Sequence, residues 1–369
     1  MRHKILLASC DIPGYGTGAT SGYALFKKMH FDGLDADYLN LIENQDVDFF
    51  RFVFGEGFGN PKSLERVDNI IVDGPVFASD SQLASLSDRL APNVMVGIGF
   101  AAALWVKRAA PKTPLVFIPT TCRYILNGAP RRRRFFSLSR EPRPNRPEVL
   151  SAAEEKAAAI SDLIIAPSAV IKDSFTISYP WVANKMYEDV IWDAEWRCEG
   201  VPAYSELNRD FSKRDIDVLF VATSWEKPEK NYPLVKRMIP RLKSLNAHVV
   251  GEVPEKIPRV SHHGLVTDAN EYYGLLGRAK AVVCPAVFDP LPEALIEASL
   301  MGCNIVAFKS SAYSSVCNEN LLVGDAGLDC FLTKVSLALL KPYDSQIDNV
   351  TGRGSYHTLL NVLLSLNAP

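Results

Sequence analysis

The sequence predicts an α/β protein built from two doubly wound, Rossmann-like domains. Short apolar runs typical of buried strands alternate with segments whose apolar residues have helical spacing, which favours parallel sheets covered on both faces. This alternation occurs twice, with a polar and irregular break at 198–214, "CEGVPAYSELNRDFSKR". The length of 369 residues also exceeds what one ordinary hydrophobic core accommodates.

The first series occupies about residues 1–200. It opens with the strand "KILLAS" (4–9), a glycine-rich turn and helical spacing in "YALFKKMHF". Further strands are predicted, in order, for "ADYLNLI", "NIIVD", "NVMVGIG" and "PLVFIP". The series closes with a helix in "EEKAAAI", a buried strand, and a second helix with Ser168 as its N-cap that ends before Pro180.

The second series occupies residues 215–345. Its predicted strands are "DVLFVAT", "HVVGEV", "HHGLV" and "AVVCPA", with helices around "YPLVKRMIPRLKSL" and "NEYYGLLGRA". The segment 346–369 contains an amphipathic helix, "SYHTLLNVLLSL". Its apolar face needs a partner, so we expect it to cross back to the first domain through Leu359, Leu360, Leu363 and Leu364.

Composition excludes some classes of function. A formal net charge of −2 gives no reason to expect nucleic acid as a partner. The N-terminal apolar run is too short for a signal peptide or a membrane span, and no other segment reaches spanning length. Seven cysteines without a CxxC pair favour a reduced, cytoplasmic enzyme. No catalytic metal is expected, and His262 and His263 are expected to line a loop.

Three acids stand in an otherwise apolar segment at 286–308, "AVFDPLPEALIEASLMGCNIVAF". Asp289, Glu293 and Glu297 are four residues apart, and buried carboxylates are costly unless something pairs with them. The pattern predicts a strand, a turn and a helix whose N-terminal N–H groups attract a diphosphate. A simpler interpretation is that the acids only cap and solvate that helix N-terminus.

This segment resembles the donor-binding segment of retaining glycosyltransferases of the GT-B fold, the group 1 type. The residues that carry the resemblance are Asp289, Glu297 and the following "EASLMGCNIVA" (297–307). "FVATSWEKPEKN" is similar to the phosphate-binding loop of that family, and "ISDLIIAPSAVIKDSF" to the last strand and helix of its first domain. The resemblance implies GT-B architecture, with the two Rossmann-like domains facing each other across a cleft.

The resemblance also implies roles for individual residues. Glu297 would accept the ribose hydroxyls of the nucleotide, and Asp289 would act on the donor sugar as a catalytic residue. Glu293 would contribute its backbone N–H, while its side chain is expected to be solvent-exposed. The remaining donor-binding candidates are the glycine turn, the phosphate loop and the rest of the acidic turn: Gly16, Thr17, Gly18, Ser224, Lys227, Lys230, Leu291 and Pro292.

Two departures from the family bear on activity. The position after "PLVFIP", where the family often has a histidine, holds Thr120, which becomes the second catalytic candidate. The position of the family's phosphate-loop arginine falls near Thr223 or Ser224, so Lys227 or hydroxyl groups would take its place beside Lys230. Front-face retaining transfer uses the donor phosphate as the base, so it tolerates the missing histidine.

The expected activity is therefore retaining, metal-independent transfer from a UDP- or GDP-sugar, with no cofactor, to a saccharide, a lipid-linked or a small-molecule acceptor. One alternative is a catalytically silent homologue that binds a nucleotide or a partner protein, because the histidine and arginine are missing. The other is an NAD-dependent oxidoreductase, because Gly14, Gly16 and Ala19 fit a dinucleotide fingerprint with Glu43 as its acid.

One basic run has two interpretations. Within "GAPRRRRFFSLSREPRPNRP" (128–147), Arg131–Phe136 combines four arginines with two phenylalanines. It fits peripheral contact with an anionic membrane at the inner face, at about 1 kcal/mol per basic residue, which would suit a lipid-linked acceptor. It also fits a solvated loop that closes over the acceptor.

Overall fold

The structure is a computed structural model. It describes residues 4–10, 22, 25–30, 32–43, 67–72, 91–120, 122, 147–188, 210–287, 289, 293–309, 317–324, 327–343 and 357–366. The chain divides into two compact units, Met1–Arg197 together with Gly354–Pro369, and Cys198–Arg353. The boundary between the units falls at the start of the polar stretch 198–214.

The first unit contains a seven-stranded parallel sheet. Its strands are β1 (Lys4–Cys10), β2 (Asp35–Glu43), β3 (Val67–Val72), β4 (Val94–Ile98), β5 (Leu115–Ile118), β6 (Leu163–Ala166) and β7 (Met186–Glu188). Their order in the sheet is β3-β2-β1-β4-β5-β6-β7, so the direction of winding reverses between β1 and β4. All six pairings are parallel.

Among the described residues, the first unit has the helices α1 (Phe100–Ala109), α2 (Pro147–Ile160) and α3 (Ala169–Ser178), besides helical residues at 25–30. Helix α1 packs closely on β4, because a Cβ added to Gly97 would lie 2.4 Å from the Cα of Ala103. The predicted N-cap of α3 is confirmed, since Ser168 Oγ accepts a hydrogen bond from the N–H of Ile171.

The second unit contains a six-stranded parallel sheet. Its strands are β8 (Ile216–Ser224), β9 (Ala247–Glu252), β10 (Ser261–Gly264), β11 (Ala279–Cys284), β12 (Asn304–Phe308) and β13 (Leu322–Val323). The order β10-β9-β8-β11-β12-β13 reverses the winding between β8 and β11. In the part of this unit that the structure describes, the helices are α4 (Tyr232–Met238), α5 (Ala269–Arg278), α6 (Glu293–Leu300) and α7 (Leu328–Ala338).

Each unit has its own hydrophobic core. In the second unit the core joins one face of the sheet to α4 and α7, with Phe220 and Phe331 fully buried. In the first unit the buried side chains of β1, β2 and β4 pack with the last helix, α8 (His357–Leu366). Leu359 and Leu363 of α8 are 0% and 1% exposed in that core.

The predicted fold class, two doubly wound α/β units, is confirmed by these sheets. Two strands were not predicted, β7 and β13, because three and two residues are too short for a periodic pattern. The prediction that His262 and His263 line a loop is wrong. Both residues lie within β10, an edge strand of the second sheet, and the predicted strand "HHGLV" begins one residue earlier and ends at Gly264.

Candidate functional site

The candidate site lies at the carboxyl ends of β8 and β11, the two strands between which the second sheet reverses its winding. Ligands of open parallel sheets bind at such a reversal, because the connections from the two strands leave toward opposite faces and open a crevice. The segment after β8 is "WEKPEKN" and the segment after β11 is the acidic stretch. Both were identified from the sequence as donor-binding segments.

A bulge at the end of β8 fixes where the first of these segments begins. The register between β8 and β9 shifts between Val221 and Ser224. Gly251 of β9 lies opposite, with φ of +108°, and a Cβ there would lie 1.8 Å from the carbonyl oxygen of Ala222. Only glycine therefore fits at that position. The indole N–H of Trp225 then donates to the carbonyl of Val250 at 2.9 Å and anchors the loop beneath the site.

The loop after β8 is attached to the segment after β11 by backbone and side-chain hydrogen bonds. A short 3₁₀ turn, Pro228–Lys230, carries the carbonyl of Glu229, which accepts the N–H of Val287 at 2.9 Å. Asn231 has left-handed backbone angles, φ 57° and ψ 46°, which asparagine tolerates better than most residues. Its side-chain amide donates to the carbonyl of Pro285 at 3.1 Å. The two segments are thereby held together as one surface.

An ion pair joins the two charged candidates on this surface. Lys230 Nζ donates to Asp289 Oδ2 at 2.6 Å, and the two side chains are 25% and 16% exposed. Burial lowers the pKa of the Lys230 ammonium, but the charge of Asp289 and this hydrogen bond raise it more. The net pKa lies above the ordinary value, so the lysine stays protonated. The sequence assigned these residues to phosphate and sugar separately, and the structure places them in direct contact.

Helix α6 carries the other two acids, and both are buried. Glu293 and Glu297 are each 8% exposed. The expectation that the Glu293 side chain is exposed is therefore wrong. The reason is that six of the eight residues of α6 are buried, so this helix is covered on nearly all sides instead of having one solvated face.

Glu297 has a partner that was not predicted from the sequence. Tyr272 on α5 donates its hydroxyl hydrogen to Glu297 Oε2 at 3.0 Å. The two residues are 25 positions apart, and a tyrosine at helical spacing gave no sign of a polar contact on another helix. Asn231 was missed likewise, although an asparagine before a Tyr-Pro helix start is a signal for a left-handed junction.

Of the remaining predicted residues, the structure describes three, Ser224, Lys227 and Thr120, and the others lie outside the described part of the chain. Ser224 ends β8 and accepts the N–H of Glu226 at 3.4 Å, and Lys227 is exposed before the 3₁₀ turn. Thr120 follows β5 in the first unit, near Gly99. Outside the described residues lie Gly16, Thr17, Gly18, Leu291, Pro292 and Arg131–Phe136.

No group of three or more His, Cys, Asp and Glu side chains among the described residues is placed to hold a metal ion. The imidazoles of His248 and His263 instead contact each other across β9 and β10, with Nδ1 and Nε2 at 2.9 Å. No helix in the described part of the chain is both long and apolar enough to cross a bilayer.

No protein-family model and no curated protein sequence matches the chain. Solved structures match it over nearly its whole length. A sucrose-phosphate synthase from Thermosynechococcus elongatus covers 98% of this chain and 98% of its own, with 12% identity and a TM-score of 0.67. HepE from Anabaena, in complex with UDP and glucose, covers 99% and 97%, with 14% identity and a TM-score of 0.62.

The chain has the GT-B fold. A UDP-GlcNAc 2-epimerase from Methanocaldococcus jannaschii matches as well, covering 98% of this chain and 99% of its own, with 14% identity and a TM-score of 0.54. The GT-B fold therefore serves more than one reaction, and the reaction of this chain has to be argued from its side chains. In this GT-B chain, Lys230 and Asp289 form an ion pair at the ends of β8 and β11, and Glu297 lies on α6, the helix that follows β11.

Proposed function

We propose that this GT-B chain is a glycosyltransferase that moves a sugar from a UDP- or GDP-sugar to a hydroxyl group of a saccharide, a lipid-linked or a small-molecule acceptor. The observation that supports this most directly is the arrangement at the winding reversal of the second sheet. There a protonated lysine paired with an aspartate lies on one surface, and the following helix carries a buried glutamate. HepE, with a similar fold, binds UDP and glucose, which supports the same class of donor.

Lys230 is the proposed contact for the diphosphate. An ammonium group has three N–H donors, and Asp289 takes one of them at 2.6 Å. The other two can donate to phosphate oxygens without breaking the ion pair. Helix α6 starts at Glu293, and the N–H groups of its first turn, with the positive end of the helix dipole, suit the same anion. Ser224, Lys227, Leu291 and Pro292 belong to the same proposed donor site.

Glu297 and Asp289 divide the rest of the donor between them. Glu297, a buried carboxylate one turn into α6, is proposed to accept both ribose hydroxyls. Asp289, which lies between β11 and α6 in the chain, is proposed to contact the sugar. Its ion pair with Lys230 then links the part of the site that binds the phosphate to the part that binds the sugar.

The proposed reaction is retaining and independent of a metal. The acceptor hydroxyl oxygen attacks the anomeric carbon on the face that the phosphate leaves. The bond from that carbon to the phosphate oxygen breaks with its electron pair, and the acceptor proton passes to a phosphate oxygen of the leaving diphosphate. Lys230 stabilises the negative charge that develops on the diphosphate. Thr120 is proposed to lie near the reacting carbon, in the place of the family histidine, and Gly16, Thr17 and Gly18 near the phosphate and acceptor.

A calorimetric comparison of two variants tests this assignment. Glu297→Gln is expected to reduce affinity for UDP or GDP roughly tenfold to 150-fold, because a charged acceptor of ribose hydroxyls is lost. Asp289→Asn removes the negative charge of the ion pair but keeps an oxygen that can accept from Lys230. Because Lys230 is still present for the phosphate, the affinity for the bare nucleotide should stay nearly unchanged. Equal losses in both variants, or none in either, would contradict the placement of the donor.

Two alternatives are separated by simpler measurements. Stabilisation of the protein by UDP or GDP in a thermal shift assay supports the transferase, whereas stabilisation by NAD supports an oxidoreductase. A catalytically silent homologue would bind the nucleotide but release no sugar from a labelled donor. Transfer of label to an acceptor, with the anomeric configuration kept, is the result expected for the retaining enzyme.

We also propose that the protein acts in the cytoplasm and contacts the inner membrane face through Arg131–Phe136. The four arginines suit anionic lipid headgroups and the two phenylalanines suit the interface. Replacing the four arginines by glutamine should lower co-sedimentation with anionic vesicles at low salt and leave nucleotide binding unchanged. Equal sedimentation of the two proteins would support the interpretation of this run as a solvated loop.

A further inference from the structure

Tyr272 connects α5 to the proposed ribose-binding carboxylate. Its hydroxyl donates to Glu297 Oε2 at 3.0 Å, and Glu297 is 8% exposed. From this contact we infer that Tyr272 is a positioning residue: it holds the Glu297 carboxylate in the orientation that accepts ribose hydroxyls, and it thereby sets the preference for ribose over 2′-deoxyribose. This inference rests on the proposed function, since it assigns a partner to the residue that the donor site uses.

The contact acts on the one part of Glu297 that the helix does not fix. The backbone of Glu297 is held in α6, where its carbonyl accepts the N–H of Met301 at 3.0 Å. The side chain has three further rotatable bonds, and a carboxylate that must meet two hydroxyls at once needs them restrained. A neutral phenol restrains the carboxylate without cancelling its charge. A lysine or arginine in its place would compete with the ribose.

Tyr272 is itself well anchored. Helix α5 begins with Asp268 as its N-cap, and the Asp268 side chain accepts the N–H of Glu271 at 2.8 Å. The ring of Tyr272 packs edge-on against that of Tyr273, with centroids 5.4 Å apart and planes at 68°. Since a tyrosine ring has only two side-chain torsions, this packing leaves its hydroxyl little freedom to move. The orientation of Glu297 is thus set by a second helix of the same unit.

The test compares the affinities of UDP, GDP and their 2′-deoxy counterparts in the wild type and in Tyr272→Phe. This substitution removes one oxygen and keeps the ring that packs against Tyr273. We expect Tyr272→Phe to bind the ribonucleotide roughly threefold to tenfold more weakly, and we expect binding of the deoxyribonucleotide, which keeps only one of the two hydroxyls, to be weakened by a clearly smaller factor. The ratio between the two should therefore shrink. Tyr343→Phe is the matched control, because it removes a hydroxyl from another tyrosine of the same unit. The backbone N–H of Tyr343 donates to Asn304 and its ring lies under the Lys341 ammonium, and the substitution keeps both contacts.

A double-variant cycle makes the result specific to Glu297. In a Glu297→Gln background, Tyr272→Phe should change ribonucleotide affinity much less than it does in the wild type, because the group it positions has changed. Melting curves of all variants show whether the fold is retained. Equal weakening of ribonucleotide and deoxyribonucleotide, or an undiminished effect in the Glu297→Gln background, would overturn the positioning role. If the wild type binds neither UDP nor GDP, the proposed function itself fails.

Discussion

Replacing Lys230 by methionine should separate the phosphate part of the proposed donor site from its nucleoside part. Methionine keeps the apolar stem and removes the ammonium group that lies 2.6 Å from Asp289 Oδ2. One of the three N–H donors is used by Asp289, which leaves two for the terminal phosphate of a nucleoside diphosphate. Loss of a charge-assisted contact costs about 1.5–3 kcal/mol, so UDP affinity should fall roughly tenfold to 150-fold.

The same substitution should also lower stability, because Asp289 loses its cation while only 16% of its side chain is exposed. The expected loss is about 1–3 kcal/mol in the free energy of unfolding. Adding Asp289→Asn to Lys230→Met removes the unpaired charge, so the double variant should regain much of this stability. It should not regain UDP affinity, because the cation for the phosphate is still missing.

The assay is calorimetry with UDP and UMP, or GDP and GMP, followed by melting curves of the single and double variants. UMP lacks the terminal phosphate, so its affinity should be nearly the same in Lys230→Met and in the wild type. If UMP binding weakens as much as UDP binding, the lysine acts on the whole site through structure. If UDP binding is unchanged, Lys230 is not a phosphate contact and the reasoning from its ion pair is refuted.

Three other changes test the surroundings of the site. Gly251→Ala would force a Cβ to within 1.8 Å of the Ala222 carbonyl oxygen and should shift the bulge at the end of β8. We expect UDP binding, measured by calorimetry, to weaken by about tenfold or more. Retained affinity would show that the loop tolerates the shift. Arg214→Met should lower the free energy of unfolding by about 3 kcal/mol in denaturant titration. Arg214 is only 5% exposed, and its guanidinium donates to the carbonyls of Ala279 and Met301 at 2.6 and 2.7 Å. A loss of stability near zero would contradict this prediction. The pKa of His248 is lowered by burial and then by His263, and that of His263 is lowered mainly by burial, so the unfolded chain takes up protons first as the pH falls. The stability that these histidines contribute above pH 6.5, the ordinary imidazole pKa, should therefore be lost as the pH drops through their pKa values in the folded protein. In melting curves recorded over this pH range, a His263→Gln variant should lose less stability than the wild type.

Local pattern was enough to predict the fold. The alternation of apolar runs with helical spacing gave both parallel sheets, and Ser168 marked a helix start that the structure has at that residue. The resemblance to the GT-B family assigned the Asp289–Glu297 segment and the loop with Lys230 to the donor site, and that assignment stays a prediction. The strands and the helix start were predicted correctly because strand and turn chemistry are properties of neighbouring residues.

The contacts within the site depend on residues that are distant in the sequence, and there the sequence was insufficient. Nothing near Glu293 shows that neighbouring elements cover almost the whole of its helix, so its burial was mispredicted. The hydrogen bond from Tyr272 to Glu297 spans two helices, and the pair of Lys230 with Asp289 spans two loops. Such pairings follow from tertiary packing, which no window of a single sequence contains.

Helix α8 has a consequence for how the protein is made. Leu359 and Leu363 belong to the core of the first unit, yet they follow every strand of the second unit in the chain. During synthesis the residues for the second unit are therefore complete before the first unit has received its last core side chains. Domains generally fold as units, the N-terminal one first, as the chain emerges from the ribosome. Here the unit whose translation begins first is completed last. Its apolar surface on β1 and β4 therefore stays uncovered until α8 has emerged from the ribosome.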